Sequence, residues 1–196
     1  FELLISLPGH NAEITHRITA KGELFEKKVQ GIRNAIDAGV AVLINHVMCS
    51  VNIEHLTEFV SWISSAFGQE ISYLSLSFVA PSGHAKKMGK RVVPRYSDSA
   101  STVLEALELG RKLGLDIAMP EYCGIPTCIE PAFRNFAEPV PASGSIEIPA
   151  DKVKFDGCAE CDWSHRCSGV FKDYLLLYGV EEFKRLMSQN PKGEKQ

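Results

Sequence analysis

Apolar residues in the first 120 positions alternate between short continuous runs and stretches with helical spacing. The continuous runs predict buried strands at residues 1–6, 40–48, 71–80 and 115–120. The stretches between them repeat apolar residues three and four positions apart, which predicts helices at residues 22–39, 52–68 and 97–114. Strands and helices that alternate in this way are typical of parallel βαβ units, so we predict an α/β fold with parallel strands.

The ends of the predicted helices carry residues that favour helix termini. Gly39 is expected to end the first helix, Asn52 to cap the second, and Ser97 or Ser99 to cap the third. The polar residues after the first strand, and those from 81 to 96, show no periodicity and are expected to form loops.

The number of predicted strands suits either a small open sheet or a part of a barrel. A closed eight-stranded barrel typically needs about 250 residues, and this chain has 196. Phe1 already lies within an apolar run, which favours a partial barrel from a longer chain. The run at 40–48 is apolar nearly throughout, as in strands covered on both faces. A flavodoxin-like sheet with free cysteines is the alternative fold.

The composition and the periodicity of the sequence change after Pro120. Residues 121–157 contain five of the ten prolines and no helical periodicity, so this segment is expected to be loop-rich and to be held together by something other than a large apolar core. A cysteine cluster follows at 158–167, and residues 168–187 predict one or two helices. We divide the chain into a parallel α/β region at 1–120, a cysteine-rich region with terminal helices at 121–190, and a disordered tail at 191–196.

Composition excludes several functional classes. A net charge of −3 gives no broad basic face for nucleic acid or an anionic membrane. The longest apolar runs are shorter than the roughly 20 residues that a membrane-spanning helix needs. The six cysteines fall mainly in clusters, which favours metal ligation in a reducing cytoplasm over a set of disulfides.

Three cysteines form a C-x2-C-x5-C motif: Cys158, Cys161 and Cys167. This spacing lets thiolates converge on one centre, and four such ligands make either a tetrahedral zinc site or an iron–sulfur site. Cys123 and Cys128 are the upstream candidates for the fourth ligand, and His165 lies inside the motif. A lone thiol at a strand end is usually a small apolar residue, so Cys49 receives no role.

Several segments, taken in order, resemble the second half of the radical SAM partial barrel, from its fourth strand to its sixth: ISLPGH, THRITAKGELFEKKVQGI, VLINHVMCSVNIEHL and SLSFVAPSGHA. The segments that follow are similar to the same family: VVPRYSD, GIPTC and CAECDWSHRCSGVFKDY. Many radical SAM proteins carry a C-terminal auxiliary iron–sulfur cluster bound by cysteines in this arrangement. The resemblance covers nearly the whole chain.

The resemblance implies an enzyme that reductively cleaves S-adenosylmethionine to methionine and a 5′-deoxyadenosyl radical, which abstracts hydrogen from a substrate. The family binds the [4Fe–4S] cluster for this reaction with a C-x3-C-x2-C loop, and this chain has no such loop. The glycine-rich segment that binds the amino group of S-adenosylmethionine is also missing. We therefore expect a C-terminal fragment that does not generate a radical by itself.

The resemblance also assigns site residues. Ser6 and Asn45 match positions near S-adenosylmethionine, and a buried Asn needs hydrogen-bond partners that a ligand hydroxyl can provide. Cys128 occupies the family's I-P-x-C position and is preferred to Cys123 as the fourth ligand of the auxiliary [4Fe–4S] cluster, beside Cys158, Cys161 and Cys167. Phe171 replaces a further cysteine of the two-cluster relatives, so one auxiliary cluster is expected.

Histidines add candidates for substrate contact. His10, His16 and Arg17 follow the first strand, on the substrate side of a barrel, although loop histidines are most often only solvated. His46 is expected to point to the opposite face of its strand from Asn45. The lysine-rich residues 84–91 are expected to be a solvated loop, and contact with an acidic substrate or partner is the alternative.

The function expected from these features is a cytoplasmic radical SAM enzyme of peptide or protein maturation or of cofactor biosynthesis. Its partners would be an unidentified substrate and a reductant such as ferredoxin or flavodoxin, with no membrane or nucleic acid. The alternative is a non-catalytic module in which a four-cysteine zinc knuckle stabilises a small α/β domain that binds a partner. The spacing of the cysteines is the same in both.

Overall fold

The computed structural model describes residues 1–138 and 146–183. Its strands are β1 (Glu2–Ser6), β2 (Ala41–Met48), β3 (Tyr73–Phe78), β4 (Ile117–Ala118), β5 (Lys152–Val153) and β6 (Val170–Phe171). Its helices are α1 (Ala12–Thr19), α2 (Phe25–Asp37), α3 (Leu56–Ala66), α4 (Gly83–Met88), α5 (Tyr96–Lys112) and α6 (Lys172–Tyr178). Short 3₁₀ helices cover Gly22–Leu24, Ile53–His55, Gly68–Glu70, Gly89–Arg91, Pro131–Phe136, Asp156–Glu160 and Ser164–Arg166.

The first four strands form one parallel sheet, and this confirms the predicted α/β fold. The strand order is β1-β2-β3-β4, so each strand pairs with its neighbour in the chain. Flavodoxin-like sheets have the order 2-1-3-4-5, in which the second strand lies outside the first. Sequential order with right-handed crossovers places the connecting helices on one face, as in a segment of a barrel.

Strand β2 shows that this sheet has two different faces. Val42, Ile44, His46 and Met48 are buried on one face, and the residues between them are only partly buried. The expectation of a strand covered on both faces is therefore wrong for β2. Apolar residues of α3 and α5 complete the buried side: Leu56, Phe59, Val60, Ile63, Val103, Ala106 and Leu107.

His46 is a polar residue enclosed in this core. Its Nδ1 donates to the carbonyl oxygen of Leu7 at 2.9 Å, and its ring lies 3.9 Å from the ring of Phe59. Its Nε2 is buried without a hydrogen-bond partner among the described residues. Burial lowers the pKa of His46 to about 4, and the bond to Leu7 opposes that shift only in part. The imidazole is therefore neutral near pH 7.

Two predicted loops contain helices. Helix α1 follows β1 directly, and the side chain of Asn11 caps it by accepting from the backbone N–H of Ile14 at 2.9 Å. His16 and Arg17 are therefore exposed helical residues, and their predicted placement in a loop is wrong. The second predicted loop contains α4, whose first residue Gly83 has a φ of +53°.

The lysine-rich residues of α4 and the turn after it contact the C-terminal helix. Lys86 Nζ lies 2.8 Å from a carboxylate oxygen of Asp173. Lys90 Nζ lies 4.9 Å from the ring centre of Tyr178. The expectation of a purely solvated loop is wrong here, because two of its lysines pair with α6.

The predicted side-chain caps are not formed, neither by Asn52 before α3 nor by Ser97 or Ser99 at α5. Asn52 instead joins two loops: its Oδ1 accepts from the backbone N–H of Cys49 at 2.8 Å, and its Nδ2 donates to the carbonyl oxygens of Pro8 and Val47. The Ser99 hydroxyl donates to the carbonyl oxygen of Arg95. Gly39 does follow the end of α2, as predicted, with a φ of +72°.

The N-terminus of α5 is capped from the C-terminal part of the chain. The backbone N–H of Tyr96 donates to the hydroxyl of Tyr174 at 2.7 Å, and the N–H of Ser97 donates to Oε2 of Glu182 at 3.0 Å. The Tyr174 hydroxyl donates in turn to Glu182 Oε1 at 2.6 Å, and the two tyrosine rings stack at 3.9 Å. A carboxylate at a helix N-terminus is also favoured by the helix dipole.

The proline-rich segment contributes directly to the main core. Ile125, Ile129, Phe133 and Phe136 are buried in the same apolar cluster as the sheet and its helices. The expectation that this segment lacks a share in a large core is therefore wrong. Its residues 139–145, the predicted helical residues beyond 183 and the predicted tail at 191–196 lie outside the described residues.

A helix long and apolar enough to cross a membrane is not found within residues 1–138 and 146–183.

The buried neutral state of His46 predicts a pH-dependent stability. Because its folded pKa is below its unfolded value of 6.5, the unfolded state binds more protons as the pH falls, and stability decreases. Between about pH 7 and about pH 5 this histidine should remove roughly 2 kcal/mol from the free energy of unfolding. Urea unfolding of His46→Asn should show a flatter pH dependence by that amount, while the exposed-site variant His84→Asn keeps the original slope. Equal slopes for both variants would contradict the assignment.

The cap on α5 predicts that one hydroxyl stabilises the whole chain. Tyr174→Phe leaves the N–H of Tyr96 and a buried oxygen of Glu182 without their partner, which should cost about 1–3 kcal/mol of unfolding free energy. Tyr122→Phe is the matched control, because the Tyr122 hydroxyl bonds only to exposed Asp151 and its loss should cost less than about 0.5 kcal/mol. Equal losses in urea denaturation would show that the cap is not important.

Candidate functional site

Ser6 and Asn45, the two predicted ligand-binding residues, are brought together by the sheet. They are register partners on β1 and β2, and Asn45 is the register partner of Ser75 on β3. Side chains at paired positions of parallel strands lie on the same face. Ser6 is exposed, Asn45 is half-buried and Ser75 is buried, so the face that carries this row of polar side chains is less covered at β1 and β2 and covered at β3.

Ser77 fixes the orientation of the Asn45 amide. Its hydroxyl donates to Asn45 Oδ1 at 2.6 Å. The Nδ2 group of Asn45 is then left to donate to a ligand hydroxyl or carboxylate. His46, the next residue, is on the opposite face, as predicted.

Polar groups also gather near the carboxyl ends of β1 and β2. His10 Nε2 and His55 Nδ1 lie 3.7 Å and 2.9 Å from the same oxygen of Glu58. Burial lowers the pKa of His10, and the negative charge of Glu58 opposes this shift. This cluster neighbours the loop that follows β1, where substrate contacts were predicted for His10.

The cysteine-rich segment is attached to the ends of the strands. The backbone N–H of Phe78, the last residue of β3, donates to the carbonyl oxygen of Cys123 at 2.5 Å. The N–H of Met119 donates to the carbonyl oxygen of Phe136 at 2.9 Å, just after β4. Tyr73 adds a side-chain contact to Glu138 at 2.8 Å. The cysteines are therefore placed relative to the sheet by both backbone and side-chain bonds.

The four predicted metal-ligating cysteines line one cavity. The other walls come from β6, from the residues next to β5 and β6, and from the loops that carry Pro126 and Ser164. The full lining is Pro126, Cys128, Lys154, Phe155, Cys158, Cys161, Ser164, Cys167, Gly169 and Val170. Cys123 and His165 do not line it. The structure thus brings the four thiols to one cavity, with Cys128 as the upstream member.

Consecutive turns curl the C-x2-C-x5-C motif around this cavity. The backbone N–H groups of Cys158, Cys161 and Cys167 donate to carbonyl oxygens three residues earlier, at 2.7 to 3.3 Å. The acceptors are Phe155, Cys158 and Ser164, respectively. Two 3₁₀ helices result, Asp156–Glu160 and Ser164–Arg166. Each turn brings the next thiol back toward the same space.

Gly169 closes the motif and is required there. It has a φ of +90°, and a Cβ at this position would lie 2.6 Å from the carbonyl oxygen of Val153. Its backbone N–H donates to the Cys167 sulfur at 3.3 Å. Glycine therefore permits both the close approach of β5 and a hydrogen bond to the thiol.

A charged clamp holds the motif on the segment that carries Cys128. The guanidinium of Arg134 forms two bonds to the carboxylate of Asp162, at 2.9 Å and 2.5 Å. It also lies 5.0 Å from the ring centre of Trp163, and Arg166 covers the same indole at 4.6 Å. Arg134 thus joins the proline-rich segment to the turn between Cys161 and Cys167.

Burial raises the pKa of two of these thiols, Cys128 and Cys167. Burial raises the pKa of Cys128 to about 12, and Cys167, Cys161 and Cys158 add to the shift. Burial also raises the pKa of Cys167, while the N–H of Gly169 and the charges of Lys152 and Lys154 oppose it. A cationic centre in the cavity would remove this cost, because it stabilises all the thiolates together.

The sulfur atoms do not meet at one point. Within residues 1–138 and 146–183, no group of three or more His, Cys, Asp or Glu side chains is arranged to hold a single metal ion.

Sequence reasoning missed the polar residues around both predicted sets. Ser75 and Ser77 stand in a buried apolar strand, and the same argument that selected Asn45 would have found them. Lys152, Lys154 and Glu121 carry no motif spacing, and only the pairing of β5 with β6 brings the lysines to Cys167.

No family model, no curated protein and no solved structure matches this chain.

Proposed function

We propose that this chain binds a [4Fe–4S] cluster through Cys128, Cys158, Cys161 and Cys167. The observation that carries the proposal is that these four thiols, from segments 30 residues apart in the chain, line one cavity. Its other walls are largely apolar, with Pro126, Phe155 and Val170 among them. An apolar shell of this kind limits water access and tunes the potential of a cluster.

A positively charged centre suits the electrostatics of the cavity. The thiolate of Cys128, whose pKa burial raises and the other three cysteines raise further, needs a positive counter-charge, which a metal centre supplies. A single tetrahedral zinc ion with bonds of about 2.3 Å would draw the sulfurs to within about 4 Å of each other. A four-iron cluster keeps its thiolates farther apart, because iron and sulfide lie between them. The proposal therefore does not require the four sulfurs to meet at one point.

The wider proposal is that the chain forms the later part of a radical SAM enzyme. It rests on the resemblance of the sequence, the sequential parallel sheet, and the polar row of Ser6, Asn45 and Ser75 on one face of that sheet. In such an enzyme, S-adenosylmethionine and a second [4Fe–4S] cluster would supply reductive cleavage to a 5′-deoxyadenosyl radical.

This chain's own residues would bind and orient S-adenosylmethionine. The Asn45 amide, held by Ser77, would donate to a hydroxyl or carboxylate of the ligand, and the Ser6 hydroxyl would contact the same ligand from the neighbouring strand. Because Ser77 occupies the Asn45 oxygen, the amide would present donors and reject a ligand that offers only donors.

The partners follow from the proposed chemistry. A one-electron reductant such as ferredoxin or flavodoxin would supply electrons in a reducing cytoplasm, where the thiols stay free. The substrate would be a peptide, a protein or a small molecule, in peptide or protein maturation or in cofactor biosynthesis.

The cluster proposal predicts different effects for two cysteines that are five positions apart. After anaerobic purification the chain should contain about four irons and four sulfides. Cys128→Ala should lose most of this iron together with the brown absorbance. Cys123→Ala should keep both, because Cys123 lies outside the cavity.

Metal analysis of the same samples distinguishes the alternatives. One zinc per chain without sulfide would support the structural zinc knuckle and refute the cluster. Loss of iron in Cys123→Ala but not in Cys128→Ala would refute the proposed ligand set.

The ligand proposal predicts a specific loss of S-adenosylmethionine binding in Asn45→Ala. One hydrogen bond to the ligand is worth about 1.5 kcal/mol, so the affinity should fall about tenfold. Equilibrium dialysis with labelled S-adenosylmethionine measures this effect. Asn34→Ala is the control, because Asn34 is exposed on α2 and its side chain accepts a hydrogen bond from Gln30 on the same helix. Binding that is absent, or equal in both variants, would refute the assignment.

A further inference from the structure

A lysine is buried beside the proposed cluster. Lys152, in β5, is only 4% exposed. Its Nζ donates to the carbonyl oxygen of Tyr122 and to the hydroxyl of Ser168, the latter at 2.6 Å. The same ammonium lies 4.7 Å and 4.6 Å from the ring centres of Tyr122 and Phe171. Burial lowers the pKa of Lys152 and the charge of Glu121 opposes that shift, while the oxygens and ring faces favour a positive charge on Nζ.

A carboxylate, which carries the opposite charge, bonds to the same residue as Lys152, namely Ser168. Glu121 Oε1 accepts from the backbone N–H of Ser168. Ser168 follows Cys167 directly, so Lys152 holds its side chain while Glu121 holds its backbone. A third charged group, Lys154, lines the cavity and donates to the carbonyl oxygen of Ser164 at 2.6 Å.

All three charged groups lie close to Cys167, because Lys152 and Glu121 bond to the next residue, Ser168, and Lys154 lines the same cavity. The negative charge of Glu121 raises the pKa of Cys167, and the positive charges of Lys152 and Lys154 lower it. Among the described residues, such charged neighbours are not found for Cys128, whose pKa responds chiefly to burial and to the other thiols. The electrostatic environment of the four thiols is therefore asymmetric, with its charges concentrated at Cys167.

We propose that Lys152 and Glu121 set the reduction potential of the cluster, in opposite directions, through the thiolate of Cys167. This inference rests on the proposed function, because it concerns the same four cysteines. Reduction adds one electron from an external donor and neither forms nor breaks a covalent bond. The added negative charge is stabilised by a nearby ammonium and destabilised by a nearby carboxylate.

The two residues offer a test in which charge and structure predict different results. Both hold Ser168, so a purely structural role would make their loss change the cluster in the same way. An electrostatic role gives shifts of opposite sign. Lys152→Met removes the positive charge and should make the midpoint potential more negative. Glu121→Gln keeps an oxygen that can accept from Ser168 and should make the potential more positive.

The experiment is a dithionite titration of the full chain, followed by the electron paramagnetic resonance signal of the reduced cluster. Each variant should change the ratio of reduced to oxidised cluster at least tenfold at a fixed potential, which is about 59 mV for a one-electron couple. Lys172→Met is the control, because Lys172 is exposed and its Nζ donates to the carbonyl oxygen of Ala150, away from the cysteines. Its potential should match that of the unmodified chain.

Iron and sulfide analysis separates the two levels of the proposal. An unmodified chain that binds no cluster overturns the proposed function, and this inference with it. Intact clusters with unchanged potentials, or with shifts of the same sign, overturn this inference alone. If Lys152→Met does not assemble the cluster, Lys154→Met replaces it in the comparison with Glu121→Gln. A shift to more negative potential in Lys154→Met then supports the proposal, and its absence overturns it.

Discussion

The arrangement of this chain depends on a buried bond network between the N-terminus of α5 and the residues that follow the cysteine motif. The first N–H groups of a helix lack partners within the helix, and here the Tyr174 hydroxyl and the Glu182 carboxylate accept from two of them. Because these acceptors come from the C-terminal part of the chain, the same bonds that complete α5 also fix α6 against it. The cysteine motif lies between these elements in the chain, so the helix cap contributes to its position together with the bonds from the ends of β3 and β4.

The sequence predicts the sheet well because local periodicity determines strands and helices. The runs at β1, β2 and β3 appear where their apolar pattern places them. The predicted caps at Ser97, Ser99 and Asn52 are wrong, although these residues have the right chemistry. Side chains from positions 174 and 182 cap α5 instead, and the Asn52 side chain bonds to the loops around Cys49 and Pro8. A cap supplied by residue 174 or 182 carries no local signal. Helix α1 is a different case, because Asn11 is a suitable local cap that the sequence already contains.

The candidate site also combines residues that a local sequence pattern predicts with residues that only the folded chain brings together. The C-x2-C-x5-C spacing identifies three thiols, and the resemblance adds Cys128, all of which line the cavity. The charges around Cys167 depend on a two-residue ribbon, in which Lys152 pairs with Phe171. A ribbon this short has no recognisable alternation, so neither Lys152 nor Glu121 stands out in the sequence. Ser77 lies between these two cases. A hydroxyl in a buried strand predicts that a hydrogen-bond partner exists, but the sequence does not identify that partner as Asn45.

The position of β1 in the sheet has a consequence for handling the protein. Within the described residues β1 pairs only with β2, so its other edge presents backbone donors and acceptors beside the exposed side chains of Leu3 and Leu4. Only the last carbonyl of the strand, that of Ser6, is bonded by a charged side chain, Lys28 Nζ, at 3.0 Å. An apolar edge at which one carbonyl is bonded by a charged side chain, and the other outward backbone groups have no partner within residues 1–138 and 146–183, is a template for the addition of another strand. A strand added at this edge would cover Ser6 and the neighbouring polar row from the side.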